Sequence, residues 1–247
     1  MTSSAVVDIP TPDGAADAYL SRPDDGPHPG VLLIVDAFGL RPAIERIADR
    51  VASDGYVVLA PNIFYRAGRA PVLELPDLHD PEKYANTLKS VWPLVEQLTP
   101  ERLASDGRAY LEYLEQVSTP GPVAITGYCM GGRAGWRIAA AYPDRVAALA
   151  AFHTAGLVTD EPDSPHRSAR DLDAELYFGF ADQDRNMTAE QIAALERTLE
   201  EAGARFRAEV YPGAQHGYAV ADVPAYNEAA SERHFRELHA LLARALG

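Results

Sequence analysis

Short apolar runs alternate with segments of three- and four-residue periodicity along most of the chain. The run Gly30 to Asp36 is too apolar to be exposed on either face and reads as a central strand. Pro42 then opens a helical segment in which Ile44, Ile47, Ala48 and Val51 share one face, and Gly55 ends it. Tyr56 to Ala60 is the next strand. The same unit returns as strand Val123 to Thr126 with helix Gly132 to Ala141, strand Val146 to Phe152, and strand Glu175 to Phe180 with helix Ala189 to Ala202. Strand Arg205 to Tyr211 precedes a last helix from about Ala225 to Leu246, and two short strands, Ala5 to Ile9 and Ala16 to Leu20, stand first. This rhythm predicts an α/β fold: one domain over residues 1–247, with a mostly parallel, twisted sheet of about eight strands and helices on both faces.

Two segments break the rhythm. Residues 61–100 hold 6 of the 19 prolines, which predicts an excursion with little regular structure before Thr99. Residues 153–173 carry Pro162 and Pro165 among acidic side chains. Both leave the carboxyl ends of strands, the edge where open α/β sheets bind ligands.

Gly127-Tyr128-Cys129-Met130-Gly131-Gly132 lies between a predicted strand and a predicted helix. A nucleophile on a sharp strand-to-helix turn requires small residues two positions to either side, because larger side chains collide across the turn. Gly127 and Gly131 meet that requirement. The turn also sets the Cys129 sulfur at a helix N-terminus, whose partial positive charge favours thiolate. A nucleophile of this kind works with a histidine that moves protons and a carboxylate that orients it, in the chain order nucleophile, acid, histidine. After the strand ending at Phe180 comes Ala181-Asp182-Gln183-Asp184, and after the strand ending at Tyr211 comes Pro212 to Tyr218 with His216 at its centre. Asp182 is the favoured acid and Asp184 its rival. The remaining histidines are read as non-catalytic: His28, His79, His166, His234 and His239 as surface residues, and His153 as a structural histidine near the pocket. The amides of Met130 and Ala37 stand where an oxyanion hole needs donors, and Phe38, Tyr128 and Tyr218 are candidate pocket walls.

Composition narrows the class of partner. Acidic residues outnumber basic ones 36 to 22 for a net charge of −14, which disfavours nucleic acid and anionic membranes. Cys129 is the only cysteine, so neither an internal disulfide nor a cysteine-based metal cluster is available. No eighteen-residue apolar stretch and no signal-like N-terminus are found, so a cytoplasmic protein is expected.

The segments Leu32 to Leu40, Gly55 to Pro61, the Gly-x-Cys-x-Gly-Gly elbow, Gly179-x-x-Asp182 and the His216 loop together resemble the dienelactone hydrolase family, a branch of the α/β-hydrolase fold with a cysteine nucleophile. The resemblance covers nearly the whole chain. It implies a Cys129, His216, Asp182 triad that opens small esters or lactones through a thioester acyl-enzyme, with no cofactor and no metal, in a monomer or small homo-oligomer. Family members carry a glutamate that accepts the proton of the resting thiol where this chain has Asp36, one methylene shorter. They also place a carboxylate-binding arginine where this chain has Val220. Arg66 and Arg69, on the excursion after the fourth strand, are candidates for a replacement charge or plain surface residues. The rival readings are a redox-sensing or binding protein with a reactive thiol, and an acyltransferase or thioesterase.

Overall fold

The chain is described here over residues 1–247 by a computed structural model. Its centre is built from three strands buried along their whole length: β3 (Gly30–Ile34), β4 (Val57–Pro61) and β5 (Val123–Tyr128). Continuous apolar runs of this kind fit only the middle of a sheet covered on both faces. Around them lie β1 (Thr2–Thr11), β2 (Gly14–Pro23), β6 (Val146–Phe152), β7 (Glu175–Gln183) and β8 (Phe206–Gln215), in the spatial order β1-β2-β4-β3-β5-β6-β7-β8. The β1–β2 hairpin joins antiparallel; β4 to β8 and β3 are parallel to one another. The eight-stranded, mostly parallel α/β architecture read from the pattern is therefore the one observed.

Helices α1 (Pro42–Ser53) and α6 (Glu228–Leu246) cover one face, joined by a bidentate Arg50–Glu232 pair. The other face carries α3 (Pro100–Val117) and α4 (Met130–Ala141), while α5 (Ala189–Ala202) packs against the 3₁₀ turn Pro165–Asp171. The excursion 61–100 is more ordered than its prolines suggest. It holds α2 (Pro81–Glu96), which starts where Asp80 accepts the Glu82 and Lys83 amides and Pro81 takes the first helical position. Proline there costs nothing, since that amide has no partner in a helix. No membrane-crossing helix is present: none is long and apolar enough.

The terminal helix also corrects one sequence reading. His234 is fully buried on the face it shares with Leu238 and Leu241, rather than at the surface. Its Nδ1–H donates to the Ser231 carbonyl, so its Nε2 accepts from the Tyr128 hydroxyl at 2.9 Å. Burial pushes its pKa down to about 3, which keeps the ring neutral.

Helices α3 and α4 meet at Gly107, where an added Cβ would stand 2.7 Å from Ile138 Cγ1 and 2.9 Å from Cγ2. A Gly-to-Ala change inside a helix ordinarily gains about 1 kcal/mol, but the β-branched Ile138 has little rotamer freedom to withdraw. Overpacking of about 1–3 kcal/mol should win. Gly107→Ala is thus expected to lower the urea midpoint, and to lower it less when introduced into an Ile138→Ala background than into the native protein.

Candidate active site

The carboxyl edge of the sheet gathers four side chains, each on the first residue beyond a strand: Cys129 after β5, His153 after β6, Asp184 after β7 and His216 after β8. Parallel strands in register carry their ends to the same edge, so residues far apart in sequence become neighbours.

Cys129 caps α4 with φ 55° and ψ −123°, a conformation that L residues seldom adopt. Bonds hold it there: its amide donates to Phe152 O at 3.1 Å, and its carbonyl accepts from Gly132 and Ala155 at 3.2 Å each. The flanking glycines are steric necessities. A Cβ on Gly127 would lie 2.3 Å from Gly131 O, and one on Gly131 would lie 2.4 Å from Val35 O. The elbow thus packs main chain against main chain, and the half-exposed thiol faces a cavity of about 510 Å³.

Asp184, not Asp182, is the carboxylate at the histidine. Its Oδ2 lies 2.7 Å from His216 Nδ1, with the carboxylate 1% exposed. Asp182 is exposed and accepts the Gly213 amide at 2.9 Å. The reason lies in strand length and register. Strand β7 runs to Gln183 instead of ending at Phe180, and Gln183 pairs with Gln215 beyond an irregularity in the β7–β8 ladder. Asp184 and His216 each follow that pair directly, while Asp182 is still part of the strand.

Burial opposes a charged His216 ring, but the Coulombic pull of Cys129, the Asp184 bond and a hydrogen bond with the cysteine sulfur outweigh it and push its pKa up to about 10. The ring therefore holds its proton more strongly than a free imidazole does, with Asp184 bonded to its Nδ1. A raised histidine pKa contributes stability that is complete below the ordinary value of about 6.5 and is lost as pH climbs through the folded value. His153 is the opposite case. Burial holds it well below the ordinary range, its ring sits edge-on 5.3 Å from that of His216, and neither of its ring nitrogens has a hydrogen-bond partner. It is a neutral wall of the site rather than a satisfied structural histidine.

The amides of Ala37 and Met130 donate to no protein acceptor, and both residues line the cavity. The turn carrying Ala37 is clamped from below. Asp36 accepts the Phe38 amide at 2.9 Å and two bonds from Arg41 at 2.7 and 2.9 Å. Arg41, 3% exposed, also holds Asp222 through bonds of 2.7 and 2.9 Å. Both Asp36 oxygens are thus engaged by Arg41 and the turn instead of by the thiol. The clamp joins the β3 loop to the segment following His216.

Other readings change with the structure. Phe38 lines the cavity, edge-on to Tyr84 of α2 at 5.5 Å. Tyr128 and Tyr218 do not: both are fully buried, the first bonded to His234 and the second donating to Gly179 O at 2.9 Å. Arg66 pairs with Asp106 and Asp13, and Arg69 with Asp8, all away from the cavity. The sequence reading missed Arg133, which lines the cavity four residues after Cys129; its helical i, i+4 spacing was the available signal. No group of three or more His, Cys, Asp or Glu side chains converges so as to hold a metal ion.

The sequence profile described as "Dienelactone hydrolase family" matches residues 16–246. The chain belongs to that family. It is a hydrolase of the ester and lactone class. Among relatives, a "Putative carboxymethylenebutenolidase" of Yersinia pestis is 31% identical over 89% of this chain and 80% of its own, and one of Escherichia coli K12 is 28% identical over 91% and 80%. In fold, the chain is similar to a structure described as "Putative Dienelactone Hydrolase" from Klebsiella pneumoniae, with a TM-score of 0.86 and 24% identity over 99% of both chains.

Two outcomes are expected. In NMR titrations His216 should titrate near 10 in the native protein, and its pKa should fall markedly in Cys129→Ala; an unchanged value would mean that the sulfur does not charge the ring. Arg41→Gln should cost about 3–5 kcal/mol in denaturant unfolding by stranding Asp36, and a second change, Asp36→Asn, should return part of it.

Proposed function

We propose that this hydrolase cleaves small carboxylic esters or lactones through a Cys129, His216, Asp184 triad. The observation that carries the reading is the His216 ring, bonded through Nδ1 to the Asp184 carboxylate at 2.7 Å and lining the same cavity as Cys129. The Cys129 sulfur passes its proton to His216 and is the attacking group.

The sulfur adds to the ester carbonyl carbon, and the carbonyl oxygen takes up the negative charge between the unpartnered amides of Ala37 and Met130. Donors already in place there need no reorganisation as charge develops. The tetrahedral intermediate collapses, the C–O bond to the alcohol breaks, and His216 gives its proton to the departing oxygen, leaving a thioester on Cys129. The ring, now neutral, takes a proton from water; the hydroxide adds to the thioester, the carboxylic acid leaves, and thiolate and imidazolium return. Asp184 holds the tautomer that keeps Nε2 toward the sulfur throughout. In a lactone the alcohol and the acid remain one molecule, and the same steps open the ring.

Cys129→Ala should abolish turnover of an activated aryl ester while its thermal unfolding stays close to native; undiminished turnover would end the reading. Asp184→Ala should lower kcat by about 10²-fold or more, as loss of an orienting carboxylate does elsewhere, whereas Asp182→Ala should change it by less than about threefold, within the range of a surface substitution. Intact-protein mass spectrometry during turnover should detect an acyl adduct on the native chain and none on Cys129→Ala.

A further inference from the structure

Arg41 does not line the catalytic cavity, yet all five of its N–H donors are taken by the two loops that do. Nη1 donates to Asp36 Oδ1 at 2.7 Å and to the Gly39 carbonyl at 3.0 Å, Nη2 donates to Asp36 Oδ2 and Asp222 Oδ1 at 2.9 Å each, and Nε donates to Asp222 Oδ2 at 2.7 Å. At 3% exposure, water does not compete for these donors. Asp36 and Gly39 bracket the turn after β3, in which the Asp36 carboxylate also accepts the Phe38 amide and the Gly39 amide donates back to the Asp36 carbonyl at 3.1 Å. Ala37 therefore sits between two residues that one guanidinium holds. Asp222 lies at the other end of the fork, in the segment after His216, between Gly217 and Val223, which both line the cavity.

Resting on the hydrolase reading, we propose that Arg41 is a positioning residue of the oxyanion site: by fixing the turn 36–39 against the segment after His216, it sets the Ala37 amide where the carbonyl oxygen gains its charge. The Ala37 amide has no acceptor within the protein, so no bond of its own keeps it aimed. Its neighbours must do so. An amide stabilises a tetrahedral oxyanion only when it meets the oxygen at hydrogen-bond distance, and a misplacement of about 1 Å costs on the order of 10²-fold in rate. A planar fork bonded at both ends restrains the turn in rotation as well as in distance, which a point charge does not. The second donor has a different support. Met130 is the first residue of α4, and the helix itself holds its amide in place. Because the fork ends on Asp222, it also keeps a fixed separation between the Ala37 donor and the loop that carries the proton-moving histidine.

The test pairs two variants. Arg41→Lys keeps the charge without the fork, and Asp222→Ala removes one anchor at a side chain that is one-third exposed, which disturbs the interior least and serves if the lysine variant does not fold. With 4-nitrophenyl butyrate, kcat and kcat/KM should fall together, roughly tenfold to a hundredfold in Arg41→Lys and about threefold in Asp222→Ala, while KM stays within about twofold of native. Acylation and deacylation both pass through the oxyanion, so both steps should slow. Butyraldehyde, which adds the Cys129 sulfur to its carbonyl carbon and presents a tetrahedral oxygen to the same amides, should lose affinity by the factor that kcat/KM loses. Native kcat in both folded variants, unchanged aldehyde affinity, or a loss carried by KM alone would overturn the positioning role and leave the hydrolase reading standing. If the native protein turns over no ester, that reading falls and backbone NMR decides whether Arg41 fixes the turn. The heteronuclear NOE of the Ala37 amide, as high as in β3 in the native protein, should then drop in both variants, and an unchanged value would overturn the role.

Discussion

Main chain pressed against main chain at the Cys129 elbow is the constraint from which the rest of the site follows. With Cβ positions 2.3 and 2.4 Å from carbonyl oxygens, Gly127 and Gly131 leave β5, the start of α4 and the end of β3 no other arrangement. That contact forces Cys129 to positive φ, aims its thiol outward and frees the Met130 amide. The geometry of the turn is thereby secured by backbone sterics, which are harder to deform than side-chain packing.

The electrostatics are layered around this core. In an acidic chain, each buried charge near the cavity has a designated partner: Asp36 and Asp222 with Arg41, Asp184 with His216. Unpaired buried ions are costly, so these pairings bind the β3, β7 and β8 loops to each other as well as setting charge. His153 contributes by staying neutral, because a second cation 5.3 Å from His216 would compete with the protonated ring. Arg133, partly exposed, departs from the pattern: Asp163 favours its charge without forming an ion pair with it.

The excursion 61–100 illustrates how local composition misleads. Its prolines suggest irregular chain, yet Pro81 opens α2 and Pro93 sits within its last turn. The first turn asks no amide to donate, so Pro81 costs nothing, while Pro93 gives up one helical bond three residues before α2 ends at Glu96. The apolar Leu88 and the aromatic Tyr84 and Trp92 then supply a wall of the cavity. Likewise His234 looks like a polar residue on a surface helix until its i+4 and i+7 neighbours, Leu238 and Leu241, reveal the buried face.

From the sequence alone came whatever depends on local sterics and periodicity: the parallel sheet, the elbow with Cys129, and the loops bearing His216 and an aspartate. Glycine spacing and apolar period are short-range properties, carried in full by a few adjacent residues. Which aspartate meets the histidine, which tyrosines face inward, and which arginine stays unpaired were decided by tertiary structure. The length of β7 and its pairing with β8 put Asp184 rather than Asp182 beside His216, and a shift of one or two residues in strand register changes every partner at the edge. Register is an agreement between distant segments, and no single segment contains it.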